Sequence, residues 1–290
     1  MFKLTYFIHT KKESFVKTYL WTLDGGRLQY KSTYQDNQGV NWLFLPGGPG
    51  LGSEALTDLT ALLKNKIPGV IWHFDLPNDG SNILKDKPLS NWQSALIQAI
   101  SAFEKVILVA HSTPGMYVQT MPELEEILHG LVLIGTAPNS SWQKLFAKYC
   151  KNINDSTITL AEEQYAKNPN NQTLRELLIA TAQYCFSTDE SIERGKKLLE
   201  SLPINNEANI WSSKHFDSKD YTADFIPKKI PTLIITGSKD HITPLQLFKN
   251  NKAYEQSHII IKEIVGAGHY PWFENPHDTI QAFAEFSALL

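Results

Sequence analysis

Six short apolar runs separated by amphipathic stretches leave this chain few architectures to adopt. They are Asn41–Leu45, Val70–Phe74, Val106–Ala110, Leu131–Ile134, Thr232–Thr236 and a weaker one at Ile259–Val265. Such runs suit strands buried on both faces, as the strands of a parallel sheet are. Between them the pattern turns helical. Ser90–Phe103 carries Trp92, Leu96, Ile97, Ile100 and Phe103 near a period of about 3.6 residues, with Ser90 placed as an N-cap. Met116–Leu128 and Leu245–Tyr254 are read the same way, as is a last helix from Pro276 to Leu290 with Ile280, Phe283 and Phe286 on one face. Strands alternating with helices imply βαβ crossovers, hence an α/β fold with a mostly parallel central sheet flanked by helices.

Two segments depart from the alternation. Near the start, Phe15–Leu23 and Arg27–Tyr34 are rich in β-formers, and Asp24-Gly25-Gly26 between them supplies a tight turn, so a β-hairpin is expected. From Asn139 to Asp220 there is no buried strand. That stretch is polar but keeps its leucines and aromatics, with helical patterns such as Leu174–Tyr184. It reads as a helical insertion, not a linker. The expected organisation is a core made of residues 1–138 and 221–290 with a helical cap at 139–220, and 290 residues, 42% of them hydrophobic, suffice for one such core.

Charge and cysteine usage exclude some classes of partner. With 27 basic and 30 acidic residues the net charge is −3, which gives no broad footprint for nucleic acid or an anionic membrane. No apolar run approaches the roughly 20 residues needed to span a bilayer. The stretch from Met1 to His9 lacks the apolar segment and cleavage site of a signal peptide. Cys150 and Cys185 have no metal-ligand spacing and are read as buried free thiols in a reducing compartment, with a disulfide left open. A cytoplasmic protein is the expectation, its oligomeric state unspecified.

Chemistry concentrates where strands end. Val106-Ile-Leu-Val-Ala-His-Ser-Thr-Pro-Gly115 runs a buried strand into a tight turn with Ser112 at its apex. Leu45-Pro-Gly-Gly-Pro-Gly-Leu-Gly52 follows another strand and is built for close backbone approach. Taken singly, Ser112 could be a helix N-cap and the glycine loop an ordinary turn. A Walker-type phosphate site is set aside, because no Gly-Lys-Ser/Thr follows. Asp240 stands just beyond the strand in Pro231-Thr-Leu-Ile-Ile-Thr-Gly-Ser-Lys-Asp240, and His269 lies in Gly266-Ala-Gly-His-Tyr-Pro-Trp-Phe-Glu-Asn-Pro276 before the last helix. His111 would point away from Ser112 if strand alternation holds, His241 neighbours Asp240, and His277 reads as a helix-terminus residue.

Together these segments resemble the α/β-hydrolase family over about residues 40–136 and 228–290. The turn at Ser112 resembles its G-x-S-x-G nucleophile elbow, with Ala110 and Pro114 in place of the two glycines. The glycine loop resembles the family's H-G-G-P-G element with Pro46 for histidine. Asp240 falls in a G-x-x-D-x-x-x-P pattern and His269 in G-x-G-H-x-P-x-x-E-x-P. Phe74-Asp-Leu-Pro-Asn-Asp-Gly-Ser81 is similar to the family's D-x-x-G-x-G-x-S loop. Some relatives place the acid after the sixth strand, but Gly135-Thr136-Ala137 offers no carboxylate there.

The resemblance implies a serine hydrolase working through an acyl-enzyme. Ser112 is the implied nucleophile, His269 the base and Asp240 the acid, with the backbone N–H groups of Gly48 and Thr113 as oxyanion donors. It implies no metal and no organic cofactor. Aspartate replaces the serine in the dehalogenase branch, which sets that activity aside. The substrate implied is a small, largely apolar ester or amide. The glycine loop also resembles the proline iminopeptidase branch, which acts on short peptides. The 11 acidic and 10 basic residues between Asn139 and Asp220 mark out no ammonium site, however. Trp142, Tyr149, Tyr184 and Trp211 could line an apolar pocket under the cap or simply pack. A non-catalytic scaffold binding a small ligand is the alternative of another class.

Overall fold

A computed structural model describes residues 5–6, 19–34, 39–217 and 220–290. Its order begins with strands β1 (Thr5–Tyr6), β2 (Tyr19–Trp21), β3 (Arg27–Tyr34) and β4 (Val40–Leu45), then helix α1 (Thr57–Leu63) and β5 (Gly69–Asp75). Next come α2 (Trp92–Ile100), β6 (Lys105–His111), α3 (Thr113–Val118) and β7 (Gly130–Ile134). Five helices follow without a strand: α4 (Ser141–Cys150), α5 (Ser156–Lys167), α6 (Asn171–Ala180), α7 (Asp189–Ser201) and α8 (Asn206–Ser212). The chain then returns to β8 (Thr232–Gly237), α9 (Gln246–Lys249), β9 (Ile259–Ile264), α10 (Pro271–Glu274) and α11 (Pro276–Ser287).

All nine strands share one sheet in the order β1-β2-β3-β5-β4-β6-β7-β8-β9. From β5 to β9 every pairing is parallel; the three N-terminal strands join antiparallel. Each of the six apolar runs is a strand, and the reason is visible in their side chains. Within β4, Trp42 and Phe44 enter one core while Leu43 and Leu45 enter the other. In β6, Ile107 and Val109 face the first and Leu108 and Ala110 the second. Alternation by two thus serves two apolar layers, so the run reads as continuous. On one side Phe283 and Phe286 of α11 pack against Trp42, each at 6.2 Å between ring centroids. On the other, Trp92 of α2 meets Tyr117 of α3 at 4.8 Å.

The hairpin expectation is met by β2 and β3 around Asp24–Gly26, although Phe15 to Thr18 lie outside the described residues. So does the stretch from Met1 to His9, apart from Thr5 and Tyr6. Helix boundaries required correction. Ser90 caps nothing: it lies in a 3-10 turn, Leu89–Asn91, entered from extended Pro88, and α2 starts at Trp92. The helix expected over Met116–Leu128 begins earlier and stops at Val118. Pro122 has no N–H and forces Met121 out of the helical region, so a separate 3-10 turn follows. Leu245–Tyr254 is likewise split, because the Asn251 side chain accepts the Ala253 N–H (3.1 Å) and starts a new turn. The last helix ends at Ser287, short of Leu290.

The five-helix insertion leaves and re-enters the sheet at one point. Asn139 and Thr222 form an antiparallel bridge, flanked by Ser140 N–H to Tyr221 O (3.0 Å) and Ala223 N–H to Pro138 O (2.7 Å). Four of its five helices are capped as their sequences dictate: Asp155 accepts Thr157 N–H, Asn170 and Thr188 form reciprocal capping boxes, and Asn205 caps α8. Among the described residues no helix is long and apolar enough to cross a membrane. Cys150 and Cys185 are free, and half-buried where full burial was expected. Burial pushes the Cys185 thiol up to about 12.

Candidate active site

The site lies at the C-terminal edge of the parallel strands, where β4, β6, β8 and β9 release their loops. Ser112 follows β6 directly and sits at φ 59°, ψ −135°, a left-handed conformation that costs an L-residue free energy of order 1–3 kcal/mol. Its hydroxyl caps nothing in α3, so the simple N-cap role does not apply. Pro114 stands in the first turn of α3, where the missing N–H is not needed. Gly115 gives the room required on the other side, since a Cβ there would meet Thr136 at 2.8 Å.

Asp240, His269 and Ser112 form one hydrogen-bonded row. His269 Nδ1 is 2.9 Å from Asp240 Oδ2 and His269 Nε2 is 2.9 Å from Ser112 Oγ. An ionised carboxylate only accepts, so Nδ1 carries the proton and Nε2 is left to accept from the Ser112 hydroxyl. Asp240 is fully enclosed. Burial pushes its pKa upward, but the His269 charge, the His269 bond and donations from Thr243 outweigh that and hold it below the usual carboxylate range. Oδ1 accepts the N–H groups of Ile242 (2.9 Å) and Thr243 (3.0 Å), and Oδ2 also takes the Thr243 hydroxyl (2.9 Å).

The glycine loop leans on Ser112. A Cβ on Gly47 would lie 3.1 Å from Ser112 Cβ and 2.6 Å from His111 Nδ1. Gly48 has φ 119°, and its N–H, like that of Thr113, donates to no group among the described residues. Two free backbone donors therefore flank the serine. His111 keeps the alternation of β6, on the face of Ile107 and Val109. It is buried against the His269 ring (4.9 Å between centroids), with Tyr270 and Trp272 around it, and its Nε2–H donates to His269 O at 3.1 Å. Desolvation, then the His269 charge, lowers His111 to about 3, so it is a neutral prop for the His269 loop.

The insertion also holds this loop. His269 N–H donates to Cys185 O (2.8 Å), and Glu274 accepts from Gly268 N–H (2.6 Å), Ser187 N–H and Oγ (both 2.7 Å) and Ser191 Oγ (2.5 Å). The four aromatic candidates divide between two clusters. Tyr149 and Tyr184 pack together (6.2 Å), with Tyr149 stacked on His241 (4.1 Å) beside Asp240. Trp211 packs on Tyr117 (6.4 Å), which meets Phe216 and so Tyr221, and Trp142 lies beside Tyr221. Two acids went unnoticed in the sequence. Asp217 sits by Thr113, accepting Ser212 Oγ (2.8 Å), which in turn accepts Tyr117 O–H (2.7 Å). Asp79 accepts Gly50 N–H at 2.6 Å. No group of histidine, cysteine or acidic side chains suited to a metal ion occurs among the described residues.

Solved structures share this fold. A proline iminopeptidase-related protein from Thermus thermophilus superposes with a TM-score of 0.67 at 17% identity, covering 100% of this chain and 98% of that one. An esterase from Exiguobacterium antarcticum gives 0.68 at 16% identity, with 94% and 99% covered. A mutant epoxide hydrolase from Bacillus megaterium gives 0.61 at 16%, with 93% and 99% covered. At such identities the likeness speaks for the fold alone, and these neighbours differ in their reactions. No curated protein matches the sequence significantly. The profile of the alpha/beta hydrolase family matches residues 42–282, which span the glycine loop, Ser112, Asp240 and His269. With most of the chain inside that match, the protein belongs to the α/β-hydrolase family.

Proposed function

We propose that this protein is a serine hydrolase that cleaves a small ester or amide through an acyl-enzyme. The observation that carries the reading is the row Asp240–His269–Ser112, with 2.9 Å at both links and the serine held at φ 59°. In the first step Ser112 Oγ adds to the substrate carbonyl as its proton passes to His269 Nε2. The imidazolium is stabilised by Asp240, and the oxyanion is received by the N–H groups of Gly48 and Thr113. His269 then protonates the leaving alcohol or amine as the acyl-enzyme forms. Water, activated by the same nitrogen, releases the acid and restores Ser112. Residues 139–220 serve as a cap over this site, with Trp142, Tyr149, Tyr184 and Trp211 contributing its apolar walls.

A fluorophosphonate probe tests the reading. Covalent labelling of the intact protein, lost in Ser112→Ala together with hydrolysis of short-chain aryl esters, is the expected result. A protein that neither labels nor turns over any ester would be a non-catalytic binding scaffold.

A second reading rests on Asp217. Burial raises the pKa of this carboxyl, only partly offset by the hydroxyls of Ser212 and Thr113. A carboxylate so placed beside Thr113 would suit the free amine of a short peptide, as in an aminopeptidase. Prolyl- or aminoacyl-arylamides turned over faster than any ester, with KM raised in Asp217→Asn, would favour it.

A further inference from the structure

The loop Pro46–Gly52 has glycines with positive φ at Gly48, Gly50 and Gly52, and of its side chains Leu51 is anchored in the core. The loop is also held from outside, at Gly50. There the N–H donates to Asp79 Oδ1 (2.6 Å), while the carbonyl accepts Asn205 N–H of the insertion (2.8 Å). A Cβ on Gly50 would lie 2.7 Å from Asn205 O, so the two segments are in direct backbone contact. Asn205 in turn donates its side-chain amide to Asn78 O (2.6 Å), closing a ring through the loop that carries Asp79.

Asp79 is a costly residue to have there. It is wholly buried, and its Oδ2 has no hydrogen-bond partner among the described residues. Arg27 of β3 is engaged by Asp75 at 2.6 Å. The charged and titratable groups around it are Asp75 of β5, paired with Arg27 of β3, Glu54 beyond the glycine loop, which also acts on Asp75, and Tyr117 of α3. Desolvation, then repulsion by Asp75, raises Asp79 to about 7, and the N–H groups of Gly50, Gly80 and Gly52 offset only part of that. A buried carboxyl without a counter-ion weakens a fold unless its geometry is used. Here the geometry is that of the segment bearing a free N–H beside Ser112.

We propose that Asp79 is a positioning residue of the oxyanion loop: its carboxyl takes the Gly50 N–H and thereby holds the Gly48 N–H toward the carbonyl bound at Ser112. The assignment rests on the serine-hydrolase reading and adds to it a residue that never touches substrate. A displacement of about 1 Å at a reacting centre can cost a hundredfold in rate.

The test compares Asp79→Leu with Asp79→Asn, which keeps an acceptor for Gly50. Three readouts are taken: kcat and KM on an aryl ester, the affinity of a trifluoromethyl ketone that forms a tetrahedral oxyanion on Ser112, and amide hydrogen exchange of Gly48 and Gly50. Asp79→Leu should lower kcat and ketone affinity about ten- to a hundredfold with KM changed less than threefold. The Gly50 amide should exchange faster, and Asp79→Asn should restore most of each. A kcat within twofold of the unaltered enzyme, or a loss confined to KM or thermal stability, overturns the proposal. Should Asp79→Leu fail to fold, exchange in the unaltered protein decides: a Gly50 amide as open as a surface loop's overturns it. No ester or amide turnover by the unaltered protein sinks the hydrolase reading itself, and the Gly50 exchange result then judges the role of Asp79 in holding the loop.

Discussion

Asp79, after β5, and Asp240, after β8, are both enclosed carboxyls at the same edge of the sheet, yet their environments drive them in opposite directions. Asp240 faces a histidine, a threonine hydroxyl and two backbone donors, and its pKa is lowered. Asp79 faces backbone N–H groups and a second aspartate, and is raised to about 7. Burial is common to both, so burial does not decide protonation; the partner does. The difference also separates two ways of building a site. On the proposed reading, one acid is coupled to a group that changes charge during reaction and the other to a backbone that must hold its place.

The largest effect that could break this contrast is Asp240→Asn. It should lower kcat by about four orders of magnitude while leaving the fold intact, because the amide presents the wrong hydrogen-bonding partner to His269 Nδ1. Asp79→Asn should cost less than tenfold. Equal losses would abolish the distinction between the two acids.

Stability against pH sharpens it next. Asp79 has a folded pKa, about 7, above its ordinary 3.8, so its contribution is fully present in acid and is lost as pH rises through 7. Asp240 is depressed, so its contribution is present at neutral pH and is lost as pH falls through its folded value. Urea unfolding at pH 5 and pH 8 should therefore show Asp79→Asn gaining on the parent as pH rises. Only the roughly two units from pH 5 to about 7 count, so at about 1.4 kcal/mol per unit the gain is at most about 3 kcal/mol. Asp240→Asn should move the other way over a lower range.

The smallest expected change is in Thr243→Val, which removes one donor from Asp240 Oδ2. A loss of about 1 kcal/mol in stability and a severalfold fall in kcat would place Thr243 as a support of the acid. No change in either would mean that the backbone N–H groups and His269 hold Asp240 unaided.

Much of this was legible in the sequence, for definite reasons. The central strands were readable because they are buried on both faces, as Trp42 and Leu43 illustrate, while the edge strand β9 gave a weaker run. Ser112, Asp240 and His269 were nameable because each follows a strand in a patterned loop, and the distances place them together. Helix ends after Ser112 were not, since Pro122 breaks an apolar period that otherwise continues. The part His111 plays was missed because alternation assigns a face and not the His269 carbonyl met there. Asp79 sits where the loop motif specifies no residue type, and only its partner 29 residues earlier reveals its work. The aromatic candidates could not be sorted, because helical rotation about each axis is set by packing that the sequence pattern of the insertion leaves open.

The bridge between Asn139 and Thr222 has a further meaning in polymer terms. Strands β7 and β8 pair directly, although a detour of about eighty residues separates them. The entropy of closing a loop grows only with the logarithm of its length, so this detour costs the sheet about 2 kcal/mol more than a ten-residue connection would. The sheet is therefore nearly indifferent to how long that excursion is. The loops at Gly50 and His269 are not, because Asn205 and Cys185 bond to their backbones.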